Sequence, residues 1–358
     1  MNLPKVTLAL LLLFTSLFAT AGKRYIEVKA GDVQSLLQAL DEAAKLNDSP
    51  TAKPLFILIP DGVYDLADKV LTTVSGYNIA LVGESTEGTI IMNAPDVKNE
   101  GIGTTATLLN RGHNIYVQDL TLRNALDYYH SGAAGRAVCW QDKGERTIFK
   151  NVRMLSYQDT YYSYNEECQH YFEDSEIHGT VDFICGAGDV YFNRCRLVTE
   201  KRNPDGSGVN VIAAPRTSST QWGYVFHECT ISNDLSAFHL ARGWHTHPRC
   251  VWLNTCLESP EKLAPERFDP LSIRSAQCEF GEYGTTNTEG HMITPASNII
   301  TIKGKDEQKS VETTLTATAA SRFTLKNVFP DWKPDKITRK LSKQCKALKR
   351  QLAKKNLK

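Results

Sequence analysis

The sequence predicts an all-β chain wound as a single-stranded parallel solenoid, with a short helix capping its start and a basic helical tail at its end. The first observation is a set of apolar triplets, each followed by a polar step and a further apolar residue: "IYVQDLTL", "TIFKNVRM", "HYFEDSEI", "VYFNRCRL", "YVFHECTI" and "VWLNTCLE". Aligned on the third residue of each, the anchors are Val117, Phe149, Phe172, Phe192, Phe226 and Leu253, between 20 and 34 residues apart. The shorter separations suit one solenoid turn, and the longer ones suit the same turn with a loop inserted. The second observation lies three residues beyond each anchor, where Leu120, Val152, Ser175, Cys195, Cys229 and Cys256 form a series of small or apolar residues. Successive coils place equivalent residues one above another. These positions are therefore expected inside, with the cysteines packed as small hydrophobes.

From the N-terminus, residues 1–21 read as an export signal. Lys5 precedes an apolar segment, Val6 to Phe18, and Ala19-Thr20-Ala21 fits a small-residue cleavage site. The mature chain is expected from Gly22, in the periplasm or outside the cell. The apolar segment is short for a membrane span and no later run is long enough, so no stable membrane insertion is expected. "GDVQSLLQALDEAAKLN" places Val33, Leu36, Leu37 and Leu40 on one helical face, with Asp32 as its N-cap. Such a helix can cover the open end of a solenoid, whose strand edges otherwise invite aggregation. "LFILIPDGVYDL" reads as strand, Pro-Asp-Gly turn, strand, and "YNIALVGES" and "GTIIMNA" read as further strands. Residues 22–332 are expected as one domain, because nothing in that span marks a boundary.

Residues 333–358 form the tail. They carry 11 Lys and Arg against one acid, Asp335, a local +10 within a chain of net charge +1, which leaves about −9 for the remainder. Ile337, Leu341, Cys345, Leu348 and Leu352 recur at helical spacing, which suits a surface helix packed by that stripe; a tether to a polyanion is the alternative. The 41% hydrophobic and 23% charged content is ordinary for a globular protein. Nine cysteines cannot all pair within one chain. Cys250 and Cys256 are near in sequence, but spacing alone does not establish a bridge. There is no C-x-x-C pair to suggest a zinc ribbon.

The chemistry centres on two aspartates. Asp159 lies ten residues after Phe149, and Asp182 ten residues after Phe172, so both occupy one address on consecutive coils. Adjacent strands are about 4.7–4.9 Å apart. Two carboxylates that close do not both ionise easily, so one pKa rises and the pair titrates as a unit. The result is one carboxylate able to attack an ester carbonyl and one acid able to protonate the leaving alcohol. Gln158, beside Asp159, can donate to an oxyanion. Equally, both aspartates could be turn residues bonded to backbone amides.

"YQDTYY", then "GTVDFICG", then "LARGW" resemble the motifs Q-D-T-L-Y, D-F-I-F-G and L-G-R-P-W of the pectin methylesterase (pectinesterase) family, as a divergent bacterial-type member. "IPDGVYDL" is similar to an early G-x-Y-x-E segment, with Leu66 at the Glu position, and "FGEYG" to an acidic-aromatic closing segment. The resemblance runs from about Lys23 to about Trp332. It implies a right-handed parallel β-helix that hydrolyses galacturonate methyl esters of pectin to carboxylate and methanol without a cofactor or metal. It further implies Asp182 as nucleophile, Asp159 as acid then base, Gln158 at the oxyanion, Arg242 bonded to Asp182, and Trp244 against a sugar ring. Tyr162, Phe183 and Arg136 are the remaining expected substrate contacts.

Two departures bear on activity. "RAVCW" places Arg136 where the family has the Gln of Q-A-V-A-L. A guanidinium there can hold the oxyanion, lower the pKa of Asp159, or read a carboxylate on a branched or otherwise non-standard pectin. "LARGW" has Ala241 and Gly243 for Gly and Pro, which predicts a looser segment around Arg242 and Trp244. The competing readings are a pectin-binding β-helix that has lost turnover and an esterase for another acyl ester. His245 and His247 are read as loop residues rather than a metal pair. The expected partner is pectin or another galacturonate polysaccharide, with no nucleic acid and no oligomer; the chain is expected to be a monomer.

Overall fold

The computed structural model describes residues 24–132, 134–217, 222–233, 235–244, 247–269, 278–303 and 308–356. The export signal and His245 fall outside them. The chain is a right-handed parallel β-helix whose coils each contribute strands to three faces. The first face stacks Leu55–Ile59, Ile79–Gly83, the first halves of Ile115–Asn124 and Arg146–Leu155, then Gln169–Glu173, Asp189–Asn193, Tyr224–His227, Arg249–Leu253 and Glu279–Tyr283. The second includes Gly62–Asp65, Thr89–Asn93, Glu176–Gly179, Arg196–Thr199 and Thr230–Asn233. The third runs Thr72–Val74, Leu108–Asn110, Trp140–Asp142, Tyr161–Ser163, Val181–Gly186, Val209–Pro215, Ala237–Arg242 and Phe268–Asp269. Pairing within these faces is parallel throughout; a separate antiparallel pair joins Ile299–Lys303 to Gln308–Glu312. The Pro60-Asp61-Gly62 turn is a corner between the first two faces.

The predicted anchors form the central stack. Phe149, Phe172, Phe192, Phe226 and Trp252 lie ring on ring, with centroids 4.3, 4.7, 4.5 and 3.8 Å apart. The last anchor is therefore Trp252, which is in register with Phe226, and not Leu253. The ladder beside the stack corrects in step. Cys195 and Cys229 are buried as expected, but Thr230 pairs with Cys256, so Thr255 takes the inward place and Cys256 is half-exposed. No disulfide joins any of the nine cysteines, and Cys250 is buried in the core.

Helix α1 (Val33–Leu46) covers the first coil with Leu36, Ala39, Leu40 and Ala43 buried, and the Asp32 carboxylate accepts from Ser35 N at 3.0 Å. At the other end, α2 (Ala317–Ala320), α3 (Leu325–Val328) and α4 (Pro334–Asn356) lie against the first face. Leu341 and Cys345 of α4 are buried there, with Ile337, Leu348 and Leu352 beside them. No helix among the described residues is long and apolar enough to cross a membrane.

Candidate active site

Asp159 and Asp182 come together where the chain turns from the second face onto the third. Asp159 N donates to Val181 O at 3.3 Å, and the strands they lead into pair Tyr161 with Ile184. Both aspartates have left-handed backbone, φ 59° and 52°, a conformation that short polar side chains tolerate better than most. Asp182 also sits on a β-bulge. Val181 and Ile184 are matched to Val211 and Ala213 on the next coil, so the aspartate's strand holds one extra residue. A bulge re-aims a side chain and bends its strand, which turns Asp182 outward while Phe183 enters the core. Gly179 permits this bend, because a Cβ there would collide with Phe183 and the Tyr157 carbonyl.

The two carboxylates have different surroundings. Arg242 grips Asp182 as a fork: Nε donates to Oδ1 at 2.7 Å and Nη2 to Oδ2. Arg242 ends the strand Ala237–Arg242 and is thus held on a sheet, not carried by a loose loop. Trp244 just beyond it donates its backbone N–H to Pro215 O at 3.0 Å. Asp159 is buried, and its carboxylate has one hydrogen-bond partner among the described residues, the Cys185 thiol at 3.8 Å. Among the described residues neither carboxylate accepts from a backbone amide, which goes against the turn-residue alternative.

Burial raises the pKa of both aspartates. For Asp159 the Asp182 charge adds to burial, and the Arg136 and Arg242 charges oppose it. For Asp182 burial is opposed first by the Arg242 charge and hydrogen bonds. With a guanidinium clamped on Asp182 and only a thiol on Asp159, the shared proton belongs on Asp159. The Cys185 thiol is itself pushed up by burial and by both carboxylates, so it stays protonated and is no nucleophile.

Gln158 is nearly buried beside Asp159, and its side-chain amide makes no hydrogen bond with the described residues. Arg136 pairs with Gln158 across an isolated bridge, one coil earlier. Its guanidinium does not bond to the aspartates but to Glu100, through Nε at 3.0 Å and Nη2 at 2.8 Å. Tyr162 is almost buried and lies with Ala106, Val138, Cys185 and Ala214 on the outer side of the third face, with Trp244 packed on their edge. The Tyr162 and Trp244 rings are 6.1 Å apart. Phe183 is a correction: it is fully buried in the core and has no surface to offer a substrate.

Several neighbours were not foreseen. Arg216 lies over the Trp244 ring at 5.2 Å and over Tyr164 at 5.6 Å, and Lys143 lies over Tyr164 at 4.3 Å. Asp269 pairs in register with Arg242 and shares its field. The Glu282 acid of "FGEYG" is a buried structural partner of Arg267 and Thr285, and Leu66 is buried in the core. Among the described residues no group of three or more potential ligands is placed to hold a metal ion.

Known proteins resemble this chain in sequence and in fold. The sequence pattern that defines the family "Pectinesterase" matches residues 27–327. The chain is 26% identical over 278 residues to "Probable pectinesterase 49" of Arabidopsis thaliana, covering 76% of this chain and 73% of that protein. It is 28% identical over 237 residues to "Pectinesterase 3" of Solanum lycopersicum, covering 64% of this chain and 41% of that protein. Among solved structures, a pectin methylesterase from Erwinia chrysanthemi superposes with a TM-score of 0.62 at 25% identity, covering 82% of this chain and 93% of that one. A pectin methylesterase in complex with a hexasaccharide gives a TM-score of 0.61 with the same identity and coverage. With the family pattern spanning the coils from the first strand to α3, the chain belongs to the pectinesterase family.

Proposed function

We propose that this protein hydrolyses galacturonate methyl esters in pectin, with Asp182 as nucleophile and Asp159 as acid and then base. The Asp182 carboxylate adds to the ester carbonyl carbon, and the resulting oxyanion accepts from the Gln158 amide. Collapse breaks the bond to the methoxy oxygen, which takes the Asp159 proton and leaves as methanol. The acyl group remains as an anhydride on Asp182. Asp159, now ionised, removes a proton from water as its oxygen adds to the same carbon. The second collapse returns the Asp182 carboxylate and releases the galacturonate carboxyl group. Arg242 keeps Asp182 oriented and charged before attack, and Trp244 and Tyr162 provide a sugar-facing apolar surface. Arg216 and Lys143 supply positive charge toward a polymer that becomes more anionic as it is processed.

The observation that carries this reading is the unequal pair: two left-handed aspartates at one address, one forked to Arg242 and the other with a carboxylate that, among the described residues, is hydrogen-bonded only to a thiol. The test is methanol release from methyl-esterified pectin by the mature chain beside Asp182→Ala. Release by the first and a loss of at least about 10³-fold in the second is expected. Intact pectin binding with no methanol from any pectin would reject the esterase in favour of a binding protein, and acetate release would point to another ester. The sequence of residues 1–21 supports export, and the Tyr162 and Trp244 rings beside the aspartates support a galacturonate polysaccharide as partner, bound by the chain as a monomer.

A further inference from the structure

Arg136 occupies a position where a neutral amide is expected and a fixed cation is costly. It lies close enough to Asp159 for their charges to interact. A free guanidinium there would draw the proton off the acid that the reaction needs. Glu100 meets this problem directly. Its carboxylate accepts from Arg136 Nε at 3.0 Å, from Nη2 at 2.8 Å and from the Arg136 backbone N–H at 3.1 Å. The Glu100 side chain is 9% exposed and that of Arg136 39%. A fork of this kind fixes the guanidinium plane as well as its place. The Arg136 side-chain hydrogen bonds, helped by its backbone N–H and its charge, hold the Glu100 carboxyl below its ordinary range against the opposing effect of burial. The acid is therefore ionised whenever the site is at work. Nη1 is the one guanidinium nitrogen that makes no hydrogen bond among the described residues.

We infer that Glu100 is a positioning residue, and that the Glu100–Arg136 pair acts as a single neutral hydrogen-bond donor in place of a glutamine amide. The pair keeps a donor at the oxyanion side of the site while cancelling the charge that would ionise Asp159. Glu100 touches no reacting atom and acts only through Arg136. This rests on the reading of Asp159 as the general acid. The other titratable groups that face Asp159 among the described residues are Asp182 from the next coil, Arg242 beyond it, the Cys185 thiol from the strand of Asp182 and the Tyr162 phenol from its own coil. Replacing Glu100 alters none of these.

The test is a double-variant cycle with two readouts. The first is the alkaline limb of kcat against pH for methanol release, which reports loss of the Asp159 proton. The second is the infrared titration of the Asp159 carboxyl in protein without substrate, its band identified by its loss in Asp159→Asn. Glu100→Gln keeps the shape and removes the charge. It is expected to move both midpoints down by about 1 pH unit or more, since an uncompensated cation nearby favours the carboxylate. Adding Arg136→Gln to Glu100→Gln is expected to return both to the wild-type value. Midpoints unmoved in Glu100→Gln, or a double variant that stays where the single one lies, would overturn the inference. The infrared readout needs no turnover. A protein that released no methanol would fail the esterase reading while leaving the charge argument open to measurement.

Discussion

At the residue scale, the site trades stability for a proton. Asp159 is buried without a cation on it, and its pKa is raised by burial and by Asp182. A carboxyl that holds its proton more tightly folded than unfolded contributes stability that is fully present below the unfolded pKa, about 4. That stability is lost as pH rises through the folded value. Asp159→Asn removes this dependence while keeping shape. We expect the variant to release no measurable methanol and yet to melt above the wild type at pH 8. The gap in Tm should shrink toward zero by pH 4, with each kcal/mol relieved shifting Tm by about 2–4 °C. Scanning calorimetry across that range checks it; a gap independent of pH would show that Asp159 is not buried against its charge. The same residues mark how far sequence reasoning reached. Asp159, Asp182, Gln158 and Arg242 carry local motifs and one repeated address, so they were legible. Glu100 was not, because it lies 36 residues before Arg136 and only the fold brings the two together. Phe183 was misread because the bulge that turns Asp182 out and Phe183 in is a property of the pairing with Val211 and Ala213, which the strand alone does not carry.

At the scale of the coil, one corner is built from a column of left-handed residues. Asp119, Asn151, Asp174, Arg194, Glu228 and Asn254 follow two residues behind the core stack, all with φ between 49° and 54°. Each non-glycine residue there costs backbone energy that the fold must offset. Asn151 returns part of it through side-chain bonds to Thr86 and Asp119, and Arg194 through bonds to Asp174. The Glu228 side chain is half-exposed, and among the described residues its one polar contact is a long one to His227 at 3.9 Å. Glu228→Gly should therefore stabilise by up to about 1 kcal/mol, whereas Glu228→Val should destabilise by about 1–2 kcal/mol. Urea melts of the two variants test this, and equal effects would remove the corner's strain from the account. The core stack was readable because aromatic anchors repeat at every coil. It failed at "VWL", where three apolar residues in a row give no contrast between inward and outward. Leu253 is apolar for a different reason: it faces the C-terminal cover together with Tyr171, Tyr191, Val225 and Val251. First-face strands buried on both sides read as continuous apolar runs, so the triplets that revealed the repeat also hid its register.

At the scale of the molecule, the C-terminal segment retraces the solenoid from its last coil to its first. Leu315 N bonds to Glu282 O on the final strand of the first face, and Phe323 packs on Trp222 with its carbonyl at Tyr191. Further back, Ser342 meets Tyr116 at 2.8 Å, and Lys349 bonds to Asp119 at 2.6 Å and Glu84 O at 3.0 Å. Leu352 reaches a cleft lined by Val28 and Leu58. A plain solenoid has only neighbour-to-neighbour contacts, so its coils can melt separately. Here α4 lays one apolar stripe across several coils and ties the earliest strands to the latest part of the chain. Its basic residues follow from this placement: Lys336, Arg339, Lys343, Lys346 and Arg350 stay in water while Leu341 and Cys345 are buried. Ending the chain after Trp332 would uncover Leu58, Ala80, Val82, Tyr116 and Ile148 at once. We expect such a protein to melt in two steps, with the coils before Arg146 lost first, where the full chain melts in one. Cys345→Asp, which leaves α4 in place but puts a carboxylate in its seam, should lower Tm without changing the pH profile of activity, because the seam lies on a different face from the aspartates. A truncated chain that melts in one step at the full-length temperature would mean that the stack alone sets cooperativity and that α4 merely rests on it.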